Sequence, residues 1–327
     1  MTVLVTGAAG FLGGHIVRQL HAAGRPVRGF DLAFRSEADF ETRTGSILDP
    51  DAISDAMNGA CAVIHTAAIA HLWTPGRFDY DRVNVVGTCR VLAEARRIGV
   101  PVTLISSYTS MIGRRAKQGD VIDETVELPP NQLLGRYPRS KRQSELAAIS
   151  AAATGQHVSI VCPTAPLGLF DHNMSPPSAM IRDLALGKLP ALLDCTINLV
   201  DAEAVAAATI AALDSGQSGQ RYILAGEDWR LSDLAERVAE FSEASAPSLR
   251  VPLWIALAAA RVETALARFT GQPPKAPLTG VRLAARPVVF DTKRARSELG
   301  FAPRPVAEIL PDVVEWILAR ERDLAQS

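Results

Sequence analysis

Residues 2 to 31 run through an apolar segment, a glycine turn, a helical pattern and a second apolar segment that ends in an acid, an order few folds accommodate. Val3, Leu4 and Val5 read as a short strand. Gly7, Gly10 and Gly13 follow at GxxGxxG spacing, Phe11, Leu12, Ile16, Val17 and Leu20 recur at helical intervals, Gly24 stops the helix, and VRGFD closes on Asp31. The first glycine allows the tight turn out of the strand. The second removes a side chain where a pyrophosphate must approach the backbone, and the third lets the helix pack closely on the sheet. Free N–H groups and the dipole at the helix N-terminus then face the phosphates. Three glycines alone would suit any tight strand-to-helix turn. Joined to the flanking strand and helix and to Asp31, they predict the opening βαβ unit of a dinucleotide-binding fold.

The 327 residues suffice for one large or two medium domains. Lys plus Arg number 34 and Asp plus Glu 35, a balance that argues for neither nucleic acid nor a membrane as partner and leaves small molecules. Cys61, Cys89, Cys162 and Cys195 show no CxxC pair or zinc spacing and read as buried thiols in a reducing cytosol, so a cytoplasmic location is expected. The first strand begins at once, and no signal peptide is expected. The apolar run at 251–267 carries Arg261 and Glu263 inside any window able to span a bilayer, which predicts a buried or amphipathic helix.

Along the chain, a polar stretch at 33–49 leads to a helix that starts near Asp49 or Asp51 and stops at Gly59. A strand from Ala62 to His65 runs into Thr66, Ala67 and Ala68. Such small residues suit either a cofactor lying against the backbone, with Ala67 at the contact, or tight helix–sheet packing. His65 and His71 lack a third ligand at metal spacing, so packing or a polar role in the cleft is expected and no metal. RVNVVGTCRVLAEARRIGV is an amphipathic helix ending at Gly99, and the next strand, Val102 to Ser106, ends in hydroxyl residues. RYPRSKRQSELAAISAAATG is a helix that opens with Tyr137 and Lys141. Four residues apart on one face, the ammonium favours phenolate over phenol and lowers the tyrosine pKa. HVSIVCPTAPLG is a sixth strand ended by Pro163 and Pro166, after which come the loop-rich FDHNMSPPSAM, a short helix IRDLALG, the strand RYILAG and a last helix near Pro311 to Arg320.

TGAAGFLG, HTAA, NVVGT, the Ser106–Ser107 pair, YPRSK and PTAPLG, in that order, resemble the extended short-chain dehydrogenase/reductases, the NAD-dependent epimerase/dehydratase superfamily. The resemblance covers essentially the whole chain and is greatest to the group around dihydroflavonol reductase and the hopanoid-associated sugar epimerases. It implies an α/β fold, a doubly wound Rossmann-type, mostly parallel sheet with a smaller C-terminal substrate domain. Residues 1–166, with a helix and strand returning near 200–226, would bind the dinucleotide, and 167–327 would hold the substrate. Tyr137 would exchange a proton with the substrate oxygen, Lys141 would hold the nicotinamide ribose, and Ser107 would bind the reacting oxygen. Gly7, Gly10, Phe11, Leu12 and Asp31 would contact the cofactor, and the Asp31 carboxylate at the end of the second strand predicts NAD rather than NADP. Asn84 would tie its helix to the site. Pairing through the helices around Val83 to Ile98 and Tyr137 to Ala153 would give a homodimer.

The chain departs from the family at Gly45, Ser46 and Ile47, where glycine, aspartate and an aliphatic residue are usual, and at Ser107, one residue farther from Gly113 than usual. IVCPTAPLG lacks the arginine and asparagine of sugar-nucleotide epimerases, which speaks against a nucleotide-sugar substrate. The expected function is NAD(P)-dependent interconversion of a secondary alcohol and a ketone on a small or sugar-like molecule. The alternatives are a sugar or sugar-nucleotide epimerase or dehydratase, whose cofactor is reduced and reoxidised within one cycle, and a non-catalytic nicotinamide sensor.

Overall fold

The computed structural model describes residues 2–35, 38–76 and 79–326. The first strand, β1 (Thr2–Thr6), leads through the glycine turn to α1 (Phe11–Ala22) and β2 (Val27–Asp31). A third strand, β3 (Glu41–Thr44), then lies inside the stretch read as merely polar, of which residues 36 and 37 are outside the described ones. Its ETRT sequence lacks an apolar signature because β3 is an edge strand with β2 as its single neighbour, and its residues stay half-buried or exposed. Helix α2 (Pro50–Met57) is capped by the Asp49 carboxylate, which accepts from the N–H of Asp51 at 3.0 Å. β4 (Ala60–His65) follows. A π-helical segment, Asp81–Gly87, runs directly into α3 (Thr88–Ile98), so the single helix expected there is two geometries in series. Next come β5 (Val102–Ile105) and α4 (Arg136–Ala153).

Seven strands form one sheet in the order Arg221–Leu224, Val158–Pro163, β5, β4, β1, β2, β3, and every pair in it is parallel. From β1 the chain winds outward to β2 and β3, then returns to β4 and winds the other way. Beyond the carboxyl ends of β1 and β4 the connections diverge and leave a crevice. One core packs α2, α3 and α4 against one face of the sheet through Leu4, Met57, Val91 and Ile160. The other face carries α1 and α6 (Ala202–Ser215) through Ile16, Leu20, Val205 and Tyr222.

PTAPLG does not end one strand. Pro163 closes Val158–Pro163, and Pro166 sits inside a separate strand, Ala165–Leu167, which pairs with Thr196–Asp201 in a small second sheet. That sheet, with α5 (Pro176–Ala185), α7 (Leu231–Ala239) and α11 (Val306–Gln326), encloses a third core around Leu184, Leu234 and Val314. Helix α5 starts within the run read as loop, since Pro176 and Pro177 occupy first-turn positions where no N–H is needed. Helix α11 starts before Pro311 and carries it inside. Of the apolar run at 251–267, Val251 ends a short strand and the part from Leu253 onward lies in α8 (Leu253–Thr270), followed by α9 (Leu278–Ala284) and α10 (Lys293–Leu299). No helix among the described residues is long and apolar enough to cross a membrane. The cysteines are free, but only Cys162 is buried, and Cys89 is exposed.

Candidate active site

At the crevice, Gly7 has φ +71°, and a β-carbon there would lie 2.5 Å from Thr66 Oγ1 and 2.7 Å from the Ala67 nitrogen. A β-carbon on Gly13 would lie 2.0 Å from the Gly7 carbonyl oxygen. These two positions close the turn and seat α1 on the sheet. Gly10 precedes α1 without any side-chain cap, so the first N–H groups of the helix face outward. Phe11 packs edge-on against His15, and Leu12 turns toward the apolar face shared with α6. The Asp31 carboxylate accepts from the N–H of Ala9 at 2.9 Å, which holds it against the glycine turn. Ala67 stands on the opposite wall, its N–H 3.4 Å from Thr6 Oγ1. At the departure from the family pattern, Ser46 Oγ accepts from the N–H of Leu48 at 3.1 Å and shapes the turn ahead of α2.

Beneath this half lies His65. Thr6 Oγ1 is 2.7 Å from its Nδ1, and Thr88 Oγ1 is 3.0 Å from its Nε2. The Thr88 hydroxyl donates to the Asn84 carbonyl at 2.6 Å, so its oxygen accepts from Nε2–H, and Nδ1 must accept from Thr6. The ring is thus a neutral link between β1, β4 and α3. Burial drives its pKa down to about 3, aided by the nearby Lys141 charge. Asn84 accepts from the N–H of Ile69 at 2.8 Å and donates to Ile69 O and to Ser140 Oγ, so it ties the π-helical segment to the loop after β4 and to α4.

The other half of the crevice carries the reactive candidates. Ser107 follows β5 by two residues, and Tyr137 and Lys141 lie one turn apart near the start of α4, all three buried. Ser107 Oγ accepts from the Thr109 hydroxyl at 3.0 Å and the Thr109 N–H at 3.3 Å. Its own proton is left for the Tyr137 oxygen, a bond that favours phenolate. Burial dominates nevertheless and pushes Tyr137 up to about 12. The lowering expected from Lys141 is not among the influences on Tyr137. The Lys141 ammonium donates to the Ile105 carbonyl at 3.0 Å, and burial brings its pKa down to about 8 against the pull of Glu145. Of the two residues that follow Ser107, Thr109 supports it, while Tyr108 packs edge-on against Phe290 and is pushed up to about 12 by burial.

Glu145 went unnoticed in sequence. Fully buried one turn beyond Lys141, it accepts from the hydroxyls of Ser106 and Ser110, the latter at 2.6 Å. Arg142 lies 3.2 Å and Arg221 3.6 Å from its other oxygen. The Ser110 hydroxyl is also 2.8 Å from the Ser107 carbonyl, so this carboxylate anchors the loop that presents Ser107. Its i,i+4 spacing to Lys141 was the available signal, but that spacing is equally common on solvent faces. Among the described residues no group of three His, Cys, Asp or Glu side chains is placed to hold a metal ion.

The model of the 3-beta hydroxysteroid dehydrogenase/isomerase family matches residues 4–235. Sterol demethylase protein B of Methylococcus capsulatus is 31% identical over 331 residues, covering 99% of this chain and 100% of that protein. The crystal structure of gox2253 has a TM-score of 0.84 at 30% identity, covering 98% of this chain and 99% of the other. MoeE5, solved with UDP-glucose and NAD, shares the fold at a TM-score of 0.77 and 22% identity, with 99% and 100% covered. The protein therefore belongs to the 3-beta hydroxysteroid dehydrogenase/isomerase family, within the extended short-chain dehydrogenase/reductases, and is an enzyme of their NAD(P)-dependent oxidoreductase and epimerase type.

Proposed function

We propose that the protein interconverts a secondary alcohol and a ketone, with NAD in the crevice between β1 and β4. The uncapped start of α1 beside the Asp31 carboxylate fits a dinucleotide, since it joins an anion-binding helix end to an acceptor for ribose hydroxyls. Bound NAD supplies the hydride acceptor, and its reduced form the donor. The observation that carries the reading is the hydrogen bond between Ser107 and Tyr137 beside the end of β5, with Lys141 one turn along α4.

In the oxidative direction Tyr137, once its own proton has passed to solvent, takes the proton of the substrate hydroxyl as phenolate, and Ser107 donates a hydrogen bond to the oxygen that becomes the carbonyl. In reduction the Tyr137 hydroxyl delivers the proton to the oxygen as its charge develops. Lys141, charged below its pKa of about 8 and held by the Ile105 carbonyl, is assigned to the nicotinamide ribose. Substrate binding is assigned to 167–327, whose third core stands apart from the two sheet faces, while α6 and the strand Arg221–Leu224 return to the dinucleotide-binding part. The exposed apolar side chains Val86 and Leu146, on the π-helical segment and α4, support a homodimer paired there, and a cytoplasmic location accords with the free thiols.

Tyr137→Phe tests the assignment, because it keeps the ring and removes the proton. Turnover of NADH with a panel of ketones and sterols, followed by nicotinamide absorbance, falls by about two to four orders of magnitude, with cofactor affinity and thermal midpoint unchanged. Normal turnover in the variant overturns the role of Tyr137. Product formation without net NADH consumption gives the site to an epimerase, and cofactor binding without turnover in the parent gives it to a sensor.

A further inference from the structure

Helix α8 turns an apolar face to solvent. At about 100° per residue, Trp254, Ile255, Val262, Leu266 and Phe269 fall on one arc of about 120°, and the other positions of that arc are alanines. Trp254 is 71% exposed and Phe269 89%. The opposite face is anchored: Ala260 and Ala267 are buried, the Glu263 carboxylate accepts from the N–H of Ala276 at 3.2 Å, and Thr264 Oγ1 accepts from the N–H of Leu278 at 3.3 Å. Single exposed apolar residues are ordinary, but a continuous stripe of this kind marks a surface that something covers.

Positive charge gathers beside it. The Arg282 guanidinium is held below its ordinary range by partial burial and then by Arg261, Arg114 and Arg286, with no carboxylate among the groups acting on it. Arg286 donates to the carbonyls of Arg282 at 2.8 Å and Arg114 at 3.2 Å, which draws α9 and the loop after β5 together. Four guanidiniums thus concentrate at one place in a chain whose net charge is −1. The near-neutral whole-chain balance conceals this local excess.

We propose that α8 docks on the surface of an anionic lipid bilayer, its apolar stripe entering the headgroup boundary while Arg261, Arg282, Arg114 and Arg286 meet the lipid phosphates. The helix lies in the interface and does not cross, in keeping with Arg261 and Glu263 within it. A second copy packed face to face would set each arginine rim against its own like charges, which disfavours that occupant. A β-carbon on Gly135 would lie 2.5 Å from Thr279 Oγ1, so the helix packed behind the docking face bears on the start of α4, which carries Tyr137. The inference does not depend on the substrate assigned above.

The full chain is sedimented with vesicles of phosphatidylcholine alone and of phosphatidylcholine with phosphatidylglycerol in equal parts. Binding is expected to the anionic vesicles and to weaken as salt is raised. Phe269→Glu combined with Leu266→Gln lowers the affinity by at least about tenfold, and Arg261→Gln by about fivefold, with thermal midpoints unchanged. The proposal is overturned if the parent does not sediment with anionic vesicles or if the variants bind as the parent does. A parent dimer that dissociates in Phe269→Glu, without vesicle binding, gives the face to a second copy instead.

Discussion

The Oδ2 atom of Asp31 accepts from the backbone N–H of Ala9 at 2.9 Å, so the end of β2 is tied to the glycine turn from which α1 starts. Its Oδ1 accepts from the N–H of Leu32 at 2.7 Å. A carboxylate held there receives ribose hydroxyls and repels a 2′-phosphate. Arg35, four residues further on, donates to Asn173 Oδ1 at 3.0 Å and is turned away from a phosphate at that position. The parent binds NAD more tightly than NADP, and Asp31→Ala weakens NAD by about tenfold while sparing NADP. Titration of both cofactors checks this, and a parent that prefers NADPH contradicts it.

The glycines separate stability from binding. Gly13→Ala places a β-carbon 2.0 Å from the Gly7 carbonyl oxygen, backbone that cannot swing aside, so its thermal midpoint falls sharply or the chain fails to fold. Gly10→Ala meets the same oxygen at 3.0 Å, a contact small shifts can relieve. That variant folds with a loss of about 1 kcal/mol or less but binds NAD poorly, because the methyl group stands where the pyrophosphate approaches. Undiminished NAD affinity in Gly10→Ala would move the pyrophosphate elsewhere.

Glu145 is buried behind the proposed reactive groups and bonded to the loop that presents Ser107. Its carboxylate raises the pKa of Lys141 against the burial that brings it to about 8. Glu145→Gln therefore lets Lys141 lose its proton at lower pH, and the basic limb of the activity profile shifts down. It also leaves Arg142 and Arg221 without their buried partner, a destabilisation of about 3 kcal/mol. Glu145→Asp, which keeps the charge, restores the limb at least in part. A lower midpoint with an unmoved pH profile would make Glu145 structural only.

His65 makes folding sensitive to acid. Its folded pKa, about 3, lies below the unfolded value near 6.5, so between these pH values the unfolded chain binds the extra proton. Its contribution is whole above pH ~6.5 and is lost as pH falls toward 3, on the order of 5 kcal/mol in all. His65→Gln keeps side-chain hydrogen bonding toward Thr6 and Thr88 but does not titrate. Thermal midpoints measured from neutral to acid pH should then decline less steeply than the parent's, and parallel curves would remove His65 from the acid response.

Local signals sufficed where a residue's task lies within its own segment. The turn at Gly7, the close seat at Gly13, the acid ending β2 and the glycine stop at Gly99 are demanded by backbone sterics and are visible as residue types at fixed spacing. Tyr137 and Lys141 were legible for the same reason, since one helical turn joins them. What the sequence could not disclose depended on partners distant along the chain. ETRT is a strand because β2 offers it an edge, PTAPLG divides between two sheets because Pro166 lies beside Val200, and Glu145 is buried with Arg221 only once the sheet has brought the far strand Arg221–Leu224 against Val158–Pro163. Likewise 251–267 reads as apolar in any arrangement, and only the packing of α8 on α9 decides which of its faces is left to solvent. Periodicity records what a residue needs from its neighbours in sequence, whereas burial and pKa are set by low-dielectric surroundings assembled from the whole chain.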